Sequence, residues 1–248
     1  VWRDEMASAI DLYDPVDGWP CWVLSNHDVP RHRTRYGTEA RARAAAVLLL
    51  TQRGTPFLYQ GEELGLADAV VEGDRVVDPG GRDGCRAPIP WDDSPGCGWP
   101  ADPWLPFAPD AAALSVARQS GDPASMLEHY RRLLRLRRTE PVLSVGRVEI
   151  LDAPDGVLRY RRWLDEPPGG AAAELEVLVN FTDEPVEVPG VSGRWVGGTA
   201  RPGETPVRAR GWAPTKRAFW TPEGDAQPLR RRCAHADQLA DRLGRGHR

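Results

Sequence analysis

The sequence predicts an α/β fold in which part of a parallel-stranded barrel is followed by an all-β unit. Three observations carry this. Two short apolar runs, Trp19–Ser25 and Pro56–Gln60, stop abruptly at polar or titratable residues. Each follows a helical pattern, so helix, strand, helix and strand alternate as they do in a parallel sheet. Beyond Pro141 the period changes from that of a helix to the alternation of strands. An α/β barrel places its chemistry where an apolar strand ends and titratable groups begin.

Asp4–Tyr13 reads as the first helix, with Met6, Ile10 and Tyr13 on one face, and Pro15 and Gly18 end it. Trp19–Ser25 is the first strand and runs into Asn26-His27-Asp28. Glu39–Gln52 is the second helix, stopped by Gly54. Its centre, Ala44–Leu50, is apolar all round, which predicts burial on every side. Pro56–Gln60 is the second strand and leads into Gly61-Glu62-Glu63. Residues 66–124 form a long irregular loop rich in proline, and loops of that length inside a compact domain are usually functional. Trp91, Trp99 and Trp104 lie in it, suited either to pinning the loop or to stacking on sugar rings. Asp122-Pro123 has the cap and first-turn pattern of a helix whose apolar stripe is Met126, Tyr130, Leu133 and Leu134. Arg131, Arg132, Arg135, Arg137 and Arg138 are expected to form its solvated face. Arg147–Asp152, Val157–Leu164 and Glu174–Phe181 read as strands, the last half-buried by its alternation. From Arg201 the alternation breaks, and 201–248 is expected to be an off-pattern, Arg-rich, disordered tail.

Composition limits function. The net charge of −4 gives no general attraction to nucleic acid, and no apolar run approaches the length of a membrane span. All but one of the 32 basic residues are Arg, the exception being Lys216; GC-rich coding accounts for this more simply than function does. No secretory pattern opens the chain, so the expected location is cytoplasmic. The four cysteines lack metal-ligand spacing, so no metal and no cofactor is expected. Cys85 and Cys97 share one loop and are close enough to pair, though free thiols in a reducing cytoplasm are the simpler reading.

Three motifs in order resemble glycoside hydrolase family 13, the α-amylase family, in its α-glucosidase and oligo-1,6-glucosidase branch. They are Asn26-His27-Asp28 with Arg31, then Gly54-Thr55-Pro56 through Gly61-Glu62-Glu63-Leu64-Gly65, then Gly81-Arg82-Asp83-Gly84-Cys85-Arg86-Ala87-Pro88-Ile89-Pro90-Trp91. The resemblance implies that the two strands are the last two βα units of a (β/α)8 TIM barrel, incomplete in this chain. Residues 1–140 would be the C-terminal portion of the catalytic barrel and 141–200 an antiparallel β-sandwich. It also implies that Asp28 is the transition-state-stabilising carboxylate. His27, Arg86 and Arg31 would bind substrate, with Arg86 reaching the innermost sugar.

Retaining glycosidases need a nucleophile and an acid/base carboxylate about 5–5.5 Å apart. The resemblance places both upstream of Val1, so the chain is expected to be a fragment whose missing partner is the N-terminal barrel half. Adjacent Glu62 and Glu63 are not expected to form the pair, because neighbouring side chains point apart. The implied activity is retaining hydrolysis of short α-glucosides such as maltose, isomaltose and maltodextrins. The alternatives are an inactive truncated chain with weak sugar binding, and a trehalose synthase or sucrose-cleaving relative. The implied partner is an oligosaccharide, with no nucleic acid and no membrane.

Overall fold

A computed structural model describes residues 1–169, 173–191, 194–199 and 217–220. Helix α1 (Trp2–Tyr13) leads to strand β1 (Cys21–Val23), and the short helix α2 (His32–Tyr36) is followed by α3 (Glu39–Thr51) and β2 (Thr55–Phe57). β1 and β2 pair in parallel, Cys21 opposite Thr55 and Val23 opposite Phe57. This is a βαβ unit with α2 and α3 as its crossover. Both strands are shorter than the apolar runs predicted. A ladder needs a partner at every residue, and among the described residues these two strands have only each other. Val23 and Phe57 consequently leave one face of the pair open, each about half exposed.

α3 is buried from Ala42 to Thr51, as its all-round apolar centre requires. Thr38 caps its start by accepting from the Arg41 N–H at 3.2 Å. A short turn of helix, α4 (Val116–Gln119), interrupts the long loop before α5 (Met126–Thr139). The cap of α5 is Ser125, not Asp122: its Oγ accepts from Glu128 N at 3.2 Å. Asp122 is spent on a turn, its Oδ1 accepting from Ala124 N at 2.9 Å. Met126, Tyr130 and Leu133 are buried as the stripe predicted. The arginine face divides. Arg131, Arg135 and Arg138 are exposed, whereas Arg137 reaches back to the end of α3, with Nη1 donating to Leu50 O and Gln52 O at 2.9 Å and Nη2 to Gly54 O at 2.6 Å.

A short helix, α6 (Pro141–Val145), opens the β region: β3 (Arg147–Leu151), β4 (Val157–Trp163), β5 (Glu174–Asn180), β6 (Arg194–Gly198) and β7 (Arg217–Trp220). They form one five-stranded sheet in the order β3-β4-β5-β7-β6. Of the antiparallel arrangement expected here, β3, β4 and β5 pair antiparallel. The described residues show a single mixed sheet, with β7 parallel to both β5 and β6. Most of the expected 201–248 tail lies outside the described residues, but Arg217–Trp220, within it, form β7 rather than a strandless segment.

β5 is not half-buried either. Val177 and Val179 face α3 and α5 in a cluster with Ala46, Leu50, Tyr130 and Tyr160. On the other side Leu178 packs with Val157, Val188 and Val191, and Glu176 receives Arg159 Nε at 2.6 Å. The loop at 186–191 covers the face that the alternation assigned to solvent. The apolar core is thus continuous between the βα units and the sheet.

Candidate functional site

The site lies where β1 ends. Leu24 and Ser25 are the last buried residues, after which the chain turns through Asn26, His27 and Asp28. Asn26 Oδ1 accepts from Asp28 N at 2.8 Å, and Asn26 bridges Val29. This Asx turn holds the Asp28 side chain up at the mouth of the strand pair, half exposed.

Two guanidinium groups and an imidazole converge on it. Arg82 Nη1 donates to Asp28 Oδ1 at 2.7 Å, Arg86 Nη2 lies 3.5 Å from the same oxygen, and His27 Nε2 lies 3.3 Å from Oδ2. Arg86 also ties the loop backbone, with Nε donating to His27 O at 2.9 Å. Arg82 is shared with Asp78, whose Oδ2 accepts from Arg82 Nε and from its backbone N–H, both at 2.8 Å. These bonds hold the Asp78 carboxyl well below the usual carboxylate range and push the Arg82 guanidinium upward. Asp83 is buried, and its Oδ2 accepts from the N–H groups of Val77 and Asp78 at 2.8 and 2.9 Å. A cleft of about 350 Å³ opens beside Asp28, walled by Pro30, Asp68, Arg82 and Cys85 among others.

The structure thus brings His27, Asp28 and Arg86 together. Arg31, the further residue expected to bind substrate, is not among those that line the cleft. Its side chain is fully buried beneath the loop: Nη1 donates to Gln60 O at 2.7 Å and the guanidinium lies 4.9 Å from the centre of the Tyr59 ring. Gly61, with φ of 90°, passes so close that a Cβ there would meet Arg31 Nη1 at 2.9 Å. Glu62 and Glu63 point apart: Glu62 is buried, while Glu63 Oε2 accepts from Gly61 N at 2.7 Å. Sequence reasoning missed Arg82 and Asp78. Arg82 stood in the quoted motif, but nothing in its spacing ranked it above Arg86. Asp78 carried no signal, because in irregular chain a separation of four residues predicts no contact.

Trp91, Trp99 and Trp104 all remain substantially exposed, and Trp99 Nε1 donates to Ile89 O at 2.7 Å. Cys21, Cys85 and Cys97 are free thiols. Among the described residues no helix is long and apolar enough to cross a membrane.

The pattern of the α-amylase catalytic domain matches residues 2–146, more than half of the chain. The chain belongs to the α-amylase family. It is 42% identical over 161 residues to a probable α-glucosidase of Rhizobium meliloti, covering 59% of this chain and 29% of that protein. It is 29% identical over 201 residues to an oligo-1,6-glucosidase of Parageobacillus thermoglucosidasius, covering 67% and 35%. This family member thus spans about a third of the length of those relatives. Among solved structures, an α-glucosyl transfer enzyme superposes with a TM-score of 0.66 at 36% identity, covering 77% of this chain and 38% of that one. A trehalulose synthase from Pseudomonas mesoacidophila superposes with a TM-score of 0.62 at 31% identity, covering 72% and 38%. These neighbours support the expected α/β class.

Proposed function

We propose that this chain contributes the sugar-binding side of a retaining α-glucosidase active site. The observation that carries it is the convergence of Arg82, Arg86 and His27 on the half-exposed Asp28 at a strand end. The substrates are short α-glucosides such as maltose, isomaltose and maltodextrins. The nucleophile and the acid/base come from barrel strands outside this chain. In support, the carboxylates beside Asp28 are already engaged, Asp78 by Arg82 and Asp83 by backbone N–H groups.

In the mechanism, Asp28 accepts hydrogen bonds from the 2- and 3-hydroxyls of the bound glucosyl unit. An ionised carboxylate offers about four lone-pair sites, and the arginines take only part of them. As positive charge grows at the anomeric carbon, bonds to the 2-hydroxyl strengthen, so they stabilise the transition state more than the bound substrate. His27 donates to the same hydroxyls from the opposite edge. Arg82, braced by Asp78, and Arg86, braced by His27 O, keep the carboxylate from rotating, so little reorganisation is left for the reaction itself.

A second reading concerns the acceptor. The α-glucosyl transfer enzyme and trehalulose synthase among the structural neighbours favour transfer of the glucosyl unit to a sugar rather than to water. Both readings share the Asp28 site. The test is saturation-transfer NMR with methyl α-glucoside on this chain and its Asp28→Asn variant. The proposal expects weak saturable binding that is lost in the variant. Equal binding by both proteins would remove Asp28 from the site.

A further inference from the structure

The loop that carries Asp28 is clamped at both ends by polar groups that are buried or part-buried. At its start, Ser25 Oγ accepts from His32 N at 2.8 Å and lies 3.0 Å from His32 Nδ1. At its end, Arg31 N donates to Asp68 Oδ1 at 2.8 Å and the Arg31 side chain holds Gln60 O. Beneath the clamp sits Glu62, fully buried, with Oε2 3.7 Å from His32 Nδ1. The carboxyl lies beside the Tyr59 backbone and the Tyr130 hydroxyl, yet closes no hydrogen bond among the described residues. A buried carboxyl whose oxygens close no full hydrogen bond is costly, and such a group calls for an explanation.

We propose that Glu62 is a positioning residue: acting through His32 and Ser25, it sets the loop that presents Asp28. The links run from Glu62 to His32, the first residue of α2, at 3.7 Å and from His32 to Ser25 at 2.8 and 3.0 Å. Ser25 Oγ accepts from His32 N and, with a second lone pair and its own proton, can either accept from or donate to His32 Nδ1; in the proposal it donates, with the imidazole proton on Nε2. That tautomer ties the two ends of the loop together. A charged Glu62 opposes it, because a carboxylate 3.7 Å from Nδ1 favours a proton on Nδ1, which then no longer accepts from Ser25 and is drawn toward the carboxylate.

The surroundings favour the uncharged form at neutral pH. Burial raises the Glu62 carboxyl to about 8, with the Tyr59 backbone opposing, Glu63 acting in the same direction as burial, and Arg31 and Tyr130 opposing more weakly. Burial, with Arg35, Arg31 and Arg33, lowers His32 to about 4, so the imidazole is neutral throughout this range. The Tyr36 ring also packs on His32, with ring centres 5.9 Å apart. The device therefore changes state as Glu62 ionises.

The inference rests on the reading of Asp28 as the sugar-binding carboxylate, but its test reads the loop without sugar, so the two fail separately. The experiment follows His32 ring nitrogens by 15N NMR, and Asp28 amide exchange, from pH 6 to 9.5 on the full chain. The expected result is a shift of the His32 proton toward Nδ1 with a midpoint near 8. Asp28 protection, corrected for base catalysis, should fall about tenfold with the same midpoint. Glu62→Gln should abolish both changes. Ser25→Ala should keep the His32 change and remove the Asp28 change, which secures the test should the first variant not fold. A His32 change without any Asp28 change in the native chain would overturn the proposal, as would an unaltered transition in Glu62→Gln.

Discussion

Asp28 shows what one carboxylate gains from its position. Its Oδ1 is fixed by Arg82 and Arg86, and its Oδ2 faces His27 and the cleft. His27 and Asp28 stood out because a strand end followed by titratable residues is a local pattern, whereas Arg86, in the long loop, was singled out only by the family resemblance of its motif. The fate of Arg31 was not legible. An arginine three residues from Asp28 can point into a cleft or under it, and the choice is made by Tyr59, Gln60 and Gly61, which come from another strand. The same concealment applies to the buried histidines. His32 and His129 are both fully buried, and burial lowers them to about 4 and about 3, against an ordinary value of 6.5. A depressed folded value means that the unfolded chain binds protons first as the pH falls. Their stabilisation is complete above about 6.5 and is lost as the pH drops toward 4. The midpoint of urea unfolding should therefore fall between pH 7 and 4, and His129→Gln should flatten the slope. An unchanged slope in that variant would contradict the assignment.

At the scale of elements, the ends of α3 matter most. A helix finishes with carbonyls that lack internal partners. Here arginines from other elements supply the donors. Arg137 of α5 holds Leu50 O, Gln52 O and Gly54 O, while the buried Arg162 of β4 holds Thr51 O at 2.6 Å together with Leu143 O and Gly146 O. Burial lowers Arg162 to about 9. Arg137→Met should cost about 3 kcal/mol, since it removes charged donors and leaves buried acceptors unpaired. Arg138→Met, on the exposed side of the same helix, should change stability by less than about 0.5 kcal/mol. Equal unfolding midpoints for the two variants would show that the cap contributes nothing. The long helices α1, α3 and α5, and the strands from Arg147 to Asn180, were readable to within a few residues, because apolar periodicity and caps are local; the one-turn helices α2, α4 and α6 are too short to show a period. The mixed pairing of the sheet was not, because parallel neighbours are chosen by long connections. Nor was the burial of both faces of β5, because the covering loop at 186–191 carries no period.

For the whole molecule, the core and the site lead to one account. α3, α5 and the sheet form a continuous apolar cluster, which gives β1 and β2 a rigid backing. The opposite face of that strand pair stays open, with Val23 and Phe57 half exposed at the mouth that carries Asp28. Apolar side chains left open on a parallel pair suit further barrel strands, and these are where we place the nucleophile and acid/base. The most direct measurement exploits the family relationship. Residues 2–146 of this chain, which carry the family pattern, would replace the matching segment of the Rhizobium meliloti relative, and hydrolysis of p-nitrophenyl α-glucoside would be followed. The account predicts that the chimaera turns over substrate, and that Asp28→Asn lowers kcat by at least on the order of a hundredfold while the fold persists. A chimaera whose kcat is indifferent to Asp28→Asn would contradict the role assigned to this carboxylate.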